Sequence, residues 1–531
     1  MPPPHNPPIL IVGAGPTGLT LAIELARRDV PFHIIDRRLA PLPWNRAIFI
    51  KARSLEIFAQ MGVIDDFLEQ GAIVRDIALF AEEKIAASYS LSHIDSPYPF
   101  ILSIPEETTE RILTEKLIAL GHSIERGIEF VSLDQNNESA TATLRHTNGS
   151  EYQLESSWIV GTDGLHSPVR HAVHDEFIGR DYPQKLAVVD SRIASWSHPR
   201  ELTCVQFVAP AVSPFPLGTD QWRIYCRVQT DEEHIIPDIA SRIDTMSPGA
   251  TLYDTEEPQI FRAHSKVAQR YRVGRVLVAG DAAHVTNPLE GHGMNAGIQD
   301  AFNLGWKLAL HHEGLAREAL VDSYETERRP VAQALIASGD ESEERITNPR
   351  GGKALEELAA FLADKDGQEF AAVAESEIGF AYPDSPIVAE PSPASEPAPS
   401  CVQIGCRMND VGGLTGPDGP TSLCKLIAHP HHTAFIFFDK ADPSQLDDAL
   451  KLLQTIGAQK NPPLQGYVVS RTEFDTTPNL VTDPKGDLHH HFGARESTLC
   501  VIRPDGHLGF RAHPASLESL QTHFISKYVT T

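Results

Sequence analysis

An uninterrupted apolar run, Ile9-Leu-Ile-Val12, leads directly into Gly13-Ala-Gly15-Pro16-Thr17-Gly18. Such a run suits a strand with both faces covered, as in a parallel sheet. Leu19 to Arg28 then reads as a helix, and Phe32-His-Ile-Ile35, closed by Asp36, as a second strand. The spacing predicts one βαβ unit with a G-x-G-x-x-G turn at its first strand-to-helix junction. In that turn Gly13 permits the tight bend, Gly15 lets the chain approach a phosphate, and Gly18 lets helix and strand pack closely. The helix N-terminus turns backbone N–H groups and its positive dipole end toward the anion. Asp36 follows Gly18 by 36 − 18 = 18 residues, near the spacing of about 20 at which an acid receives ribose hydroxyls. The motif predicts a dinucleotide without separating NAD from FAD.

Two later motifs bear on that choice. Gly161-Thr-Asp163-Gly164-Leu-His-Ser167-Pro-Val-Arg170 sets an acid, a glycine and an arginine after the strand-like Trp158-Ile-Val. Val276-Leu-Val-Ala-Gly280-Asp281 again ends a strand in an acid, and Glu290-Gly291-His-Gly293-Met294-Asn295 opens a helix expected from about Asn295 to His312. A ligand as long as FAD needs anchoring at both ends. Asp281 is placed to accept a ribityl hydroxyl, and the N–H groups of 293–295 to meet the flavin pyrimidine edge, where negative charge collects on reduction.

The remaining chain predicts further domains. The 531 residues carry 45 basic and 71 acidic side chains, net −26. That balance disfavours nucleic acid and anionic lipid as partners. No apolar stretch reaches about 18 residues, the amino terminus lacks signal-peptide regions, and six cysteines form no C-x-x-C. A cytoplasmic enzyme is expected, with a homodimer left open. The region from Ile77 to Arg270 is mixed, with strand-like pieces at 140–144 and 222–228. Residues 382–400 are rich in Pro, Ser, Ala and Glu and read as an exposed linker. Beyond it, strands at 433–438, 465–469 and 499–502, with helical patterns at 444–455 and 517–528, predict a separate small α/β domain.

Taken jointly, Gly13 to Gly18, Asp163-Gly164 with Ser167 and Val169-Arg170, and Gly280-Asp281 with Gly297-Ile-Gln-Asp-Ala301 resemble the single-component, class A FAD-dependent aromatic hydroxylases of the para-hydroxybenzoate hydroxylase fold. The resemblance covers about residues 7–345. The linker and tail, with Arg503-Pro-Asp-Gly506 and Phe510-Arg511, look like the thioredoxin-like C-terminal domain of the phenol hydroxylase and polyketide hydroxylase branch. The implied fold class is α/β: an FAD-binding Rossmann-type domain (1–75, 99–180 and 266–380) interleaved with a mixed-sheet substrate domain (76–98 and 181–265), a linker (381–400) and the thioredoxin-like domain (401–531). The implied reaction hydroxylates a small phenol-like or polycyclic aromatic substrate, with NAD(P)H as a visiting cosubstrate and O2 carried as a flavin C4a-hydroperoxide. No second G-x-G-x-x-G follows a strand, consistent with a cosubstrate that leaves.

By the same resemblance, Thr17, Asp36 and Arg37 match adenosine-side positions, and Arg46 an arginine lying along the FAD. Pro288 matches a proline whose carbonyl faces the reacting edge of the flavin; Met294 and Asn295 match helix-start contacts. Two departures stand out. Glu290 replaces a glycine, and is either a neutral proton-relay acid or a carboxylate turned to solvent. Glu106, in Glu106-Glu-Thr-Thr-Glu110, replaces the glutamine of a Q-x-x-x-E pattern. The family's substrate-side aspartate falls near Ile48, leaving the phenolate-generating group open among Tyr225, Arg223, His264 and His292. The histidines at 429, 431, 432 and 489–491 read as loop residues, since neighbours on a strand point to opposite faces; no metal is expected. Alternatives are a Baeyer–Villiger oxygenase or reductase on the same fold, or a non-catalytic flavin-binding sensor.

Overall fold

The computed structural model describes residues 6–41, 47–206, 211–228, 232–347, 351–391, 402–438, 449, 451, 453, 464–472, 479–494, 497–515, 518–519 and 521–523. Arg46, Cys401 and most of the helical patterns expected at 444–455 and 517–528 lie outside them. The chain divides into two compact units: residues 1–23, 31–301 and 329–378, and residues 24–30, 302–328 and 379–531.

In the first unit, Ile9–Val12 is buried at every position because it lies inside a six-stranded sheet. The strand order is Arg272–Val273, Val276–Val278, Ile159–Gly161, Ile9–Val12, Phe32–Asp36, Glu125–Arg126. Leu10 pairs with Ile159 and with His33, and Ile159 pairs with Val276, all in parallel. Parallel neighbours end on the same side, so the turns after Val12, Gly161 and Val278 leave one edge of the sheet together. The expected βαβ unit is present, with its helix at Pro16–Ala26.

A second sheet runs in the order Val212–Leu217, Gln221–Val228, Phe177–Ala194, Gln259–Ala268, His284–Val285. Its long strand Phe177–Ala194 carries an irregularity between Asp181 and Lys185, where extra residues bend the strand. Beside it, Leu202–Gln206 pairs with Asp76–Ala81, which pairs with Lys84–Ser90. One apolar cluster joins Ile77, Leu79 and Leu91 to Phe49, Phe215 and Tyr225, and to Leu355 and Leu362 of the helix Gly351–Leu362.

The second unit is built on a seven-stranded sheet containing the order Leu480–Thr482, Leu464–Ser470, His432–Phe438, Thr498–Ile502, Leu508–Ala512. The first three are parallel and the last two form an antiparallel hairpin. His432–Phe438 is buried throughout: Ala434, Ile436 and Phe438 face Trp306, Leu310 and Leu320, while Phe435 and Phe437 face Leu423, Leu488 and Phe492.

Residues 382–391 are not an exposed linker. Tyr382 and Ile387 are buried, Ala389 bridges to Phe510, and Glu390 accepts from Arg511 Nε at 2.6 Å. Two large apolar anchors suffice to dock a segment whose average composition reads as soluble; residues 392–400 lie outside the described ones.

A buried charge cluster ties this unit together. Arg503 donates Nη1 to Glu327 Oε1 at 2.7 Å and Nη2 to Oε2 at 2.9 Å, and Lys307 Nζ reaches Glu327 Oε2 at 2.7 Å. Asp505 pairs with the same guanidinium and accepts from Trp306 Nε1 at 3.2 Å. Burial alone would raise the Glu327 pKa, but Arg503 and Lys307 hold it below the ordinary carboxylate range; burial pushes Lys307 down to about 8. Glu327→Ala should cost about 3–5 kcal/mol, because it leaves two cations buried with one fewer counter-charge. Urea unfolding of the full chain measures this, and a loss below about 1 kcal/mol, the exposed-pair range, would show that the cluster is solvated.

Candidate flavin site

Each glycine of the first turn has its own constraint. Gly13 sits at φ +108, and a Cβ there would collide with the Thr162 carbonyl; one on Gly18 would collide with the Gly13 carbonyl. A Cβ on Gly15 would meet only Glu110 Oε1, 3.9 Å away, so Gly15 alone faces open space of the kind a phosphate enters. Thr162 Oγ1 donates to the carbonyls of Val12 and Gly13, at 3.0 and 2.8 Å. Asp36 Oδ2 accepts the Ala14 N–H at 3.0 Å and Oδ1 the Arg38 N–H at 2.8 Å. It shapes the turn, and its remaining lone pairs are those a ribose would use. Arg37 is exposed. Thr17 is enclosed elsewhere: a Cβ on either Gly280 or Gly297 would strike its Oγ1, so Thr17 seats the first turn against the third.

The second turn is locked to the third as well. Ser167 Oγ accepts the Arg170 N–H at 2.9 Å and caps Pro168–Ala172. Arg170 then donates Nη1 to the Ala282 carbonyl at 2.7 Å and Nη2 to that of Leu165 at 2.8 Å. Asp163 Oδ2 accepts the Val169 N–H at 3.1 Å, whereas its buried Oδ1 has no hydrogen-bond partner among the described residues. Its Cα lies 3.0 Å from where a Cβ on Gly13 would sit, beside the phosphate turn. Burial pushes this carboxyl up to about 6. An orphaned oxygen there fits a ligand hydroxyl or a water held by one.

At the third turn, Asp300 Oδ2 accepts the Gly280 N–H at 3.1 Å and pairs with His284 Nε2 at 2.7 Å, both side chains fully buried. Asp281 is left exposed at the strand end, where a ribityl acceptor would stand. The helix observed is Gly293–His312, and its first N–H groups have no intrahelical acceptor. Asn295 does not offer its side chain to a ligand. Nδ2 donates to the carbonyls of Phe49 and Gly291, at 2.8 and 3.0 Å, and Oδ1 accepts the Lys51 N–H at 2.9 Å. Gly293, Met294 and Asn295 therefore present backbone, beside Pro288 in the short helical turn Pro288–Glu290. With the open Gly15 cradle, the orphaned Asp163 oxygen and this helix start, the residues present fit FAD.

Glu290 departs from both sequence expectations. Oε1 accepts from Ser342 at 2.5 Å and Ser338 at 3.3 Å, and Oε2 lies 3.2 Å from His292 Nε2. Burial alone would raise its pKa; the His292 and Ser342 contacts and Lys51 bring it down to about 2. It is an engaged carboxylate, neither a neutral relay acid nor turned to solvent. His292 Nδ1 lies 2.7 Å from Glu377 Oε1 and 3.0 Å from Lys51 Nζ, itself 3.1 Å from Glu375 Oε1. Lys51, Glu375 and Glu377 carried no local sequence signal. Only the fold brings residues 241 apart together.

On the substrate sheet, Arg223 holds Asp190 through Nε at 2.7 Å and Nη2 at 2.5 Å, while Nη1 is buried without a hydrogen-bond partner among the described residues. Tyr225 packs on Phe49 and Phe215, ring centroids 6.2 and 5.8 Å away. Burial raises its phenol pKa well out of the neutral range, so it is no anionic base. His264 pairs with Asp181 at 2.5 Å on the surface, and His489 is a buried link between Asp483 and the Phe438 carbonyl. Glu106 Oε2 accepts the Ala47 N–H at 3.4 Å.

The carboxylates around His292 set a testable sign. Burial and Lys51 oppose its proton, but Glu290 and Glu377 prevail and raise its pKa. Stability from this group is therefore full below the unfolded value of about 6.5 and is lost as pH rises through the raised folded value. By NMR of labelled histidine, His292 should titrate above 6.5 in the parent and lower in Glu290→Gln. A midpoint unmoved by that substitution would remove Glu290 as its counter-charge.

Comparison with known proteins agrees with this geometry. The FAD binding domain family matches residues 6–338. A 6-methylpretetramide 4-monooxygenase of Streptomyces rimosus is 29% identical over 540 residues, covering 98% of this chain and 93% of that protein. A rifampicin monooxygenase of Streptomyces venezuelae is 32% identical over 366 residues, covering 67% of this chain and 75% of that one. The solved structure of the flavin-dependent monooxygenase PieE, in complex with FAD and substrate, superposes with a TM-score of 0.79 at 22% identity, covering 99% and 100% of the two chains; that likeness bears on the fold. The chain that carries these three turns on one sheet edge belongs to the FAD binding domain family of flavoprotein monooxygenases.

Proposed function

We propose that the protein hydroxylates a phenol-like or polycyclic aromatic substrate, using NAD(P)H and O2. The observation that carries this reading is Arg223: a guanidinium only 2% exposed, with Nη1 unpartnered, in the strand that also supplies Tyr225 to the Phe49–Phe215 aromatic cluster. An aromatic wall takes a flat ring by offset or edge contacts, and a buried unsatisfied donor calls for an oxygen on that ring. Relatives named for 6-methylpretetramide and pentachlorophenol support the same class.

Bound FAD would supply hydride acceptance from NAD(P)H and activation of O2. It would rest on Gly13–Gly18, Asp36, Asp163, Asp281 and the backbone of 293–295. Arg223 then donates to the substrate oxygen and favours its ionised form, which makes the ring a better nucleophile. Asp190 fixes the guanidinium plane and offsets part of its charge. The apolar cluster excludes water from the reacting edge, while the Pro288 carbonyl accepts the Gly291 N–H at 3.1 Å. We read 401–531 as thioredoxin-like, supported by a parallel strand pair followed by an antiparallel hairpin. All five described cysteines are free, which supports a reducing compartment such as the cytoplasm.

The test is turnover with a panel of phenols and fused aromatic rings: NADPH oxidation should accelerate and yield a product heavier by one oxygen. Acceleration without oxygen insertion across the whole panel would point to an effector-responsive oxidase. Arg223→Lys keeps the charge but loses the planar fork, so kcat/KM for a coupled substrate should fall about 10- to 100-fold, the value of a charged hydrogen bond of about 1.5–3 kcal/mol. Unchanged kcat/KM would take Arg223 out of the substrate site.

A further inference from the structure

Among the described residues, the open side of Gly15 is bordered by one side chain: Glu110 Oε1 is the sole atom of these residues within 4 Å of a Cβ built there. Glu110 stands on the helix Glu106–Ala119, one turn after Glu106, so the two carboxylates share a face. The charged groups around it are Glu106 on its own helix, Asp36 at the end of Phe32–Asp36, Arg38 just beyond, and Arg126 on the neighbouring strand Glu125–Arg126. Among the described residues, none donates a hydrogen bond to the Glu110 carboxylate. Two acids therefore adjoin a cradle built for an anion, and one of them, Glu106, stands where the resembled family carries an uncharged glutamine.

An ionised carboxylate facing the cofactor's pyrophosphate would repel it in a partly desolvated site. We propose that Glu110 binds FAD as the neutral acid, donating its carboxyl proton to a cofactor oxygen at the Gly15 turn, so that loading the cofactor takes up one proton from solvent. Burial, Glu106 and Asp36 already push Glu110 up to about 7 before any ligand adds negative charge, with Arg126 and Arg38 opposing. The bound pyrophosphate raises it further. FAD then binds with full affinity below pH 7 and weakens about tenfold per pH unit above it, until the pKa of the complex is reached.

Ultrafiltration of the full-length holoenzyme between pH 6 and 9 gives the FAD dissociation constant. Calorimetry at pH 8 in two buffers of different ionisation enthalpy gives the proton count, expected near one per FAD. Glu110→Gln keeps a donor and cannot ionise; it should hold FAD as tightly as the parent at pH 6 and show no weakening toward pH 9. Glu106→Gln removes a neighbouring negative charge, so the onset of weakening should move to lower pH. Affinity independent of pH with no proton uptake in the parent would overturn the proposal, whether or not the variants fold. Loss of FAD from Glu110→Gln at pH 6 would overturn it too, by making Glu110 an ionised ribose acceptor. The inference rests on the FAD assignment: a chain that takes up no flavin fails both, whereas flavin bound without a proton sinks this inference alone.

Discussion

The parallel pairing of Ile9–Val12, Ile159–Gly161 and Val276–Val278 is the constraint on which the site depends. Side by side, these strands deliver three turns separated by more than a hundred residues each to one edge of one sheet. Two contacts then fix the turns to each other. Arg170 ties the second to the Ala282 carbonyl of the third, and Thr17 of the first fills the space left by Gly280 and Gly297. A ligand touching all three meets backbone that is already in place, so little ordering entropy remains to be lost on binding.

Electrostatics divide the molecule into tasks. Glu327, Arg503, Lys307 and Asp505 are a closed set in which each buried charge has a partner, and their effect is to hold helices against a sheet. The cluster of Lys51, His292, Glu290, Glu375 and Glu377 has more carboxylates than cations and raises the His292 pKa. Arg223 Nη1 and Asp163 Oδ1 are among the buried polar atoms without a hydrogen-bond partner among the described residues. Buried groups left incomplete are costly, and at these two positions a ligand would complete them.

Much of this was legible in the sequence because glycine sterics and strand periodicity are local. Gly13 and Gly18 are required by carbonyls that any such turn brings close, and Ile9–Val12 announces a covered strand. The roles of polar residues were less legible, because they depend on partners distant in the chain. Asn295 lies at the expected helix start, yet its side chain is taken up by Phe49, Gly291 and Lys51. Glu290 could not be assigned without His292 and Ser342 around it. Residues 382–391 misled for another reason: composition averages over a segment, whereas docking depends on Tyr382 and Ile387 individually.

The most direct measurement of the central claim is competition between two flavins for the site. Apoprotein of the full chain, given equal concentrations of FAD and FMN and then desalted, should retain one FAD per chain and essentially no FMN, because only FAD adds to the phosphate and isoalloxazine ends the adenosine ribose that Asp36 would receive. Equal retention of the two, or flavin held at well under one equivalent, would contradict a single site spanning the three turns.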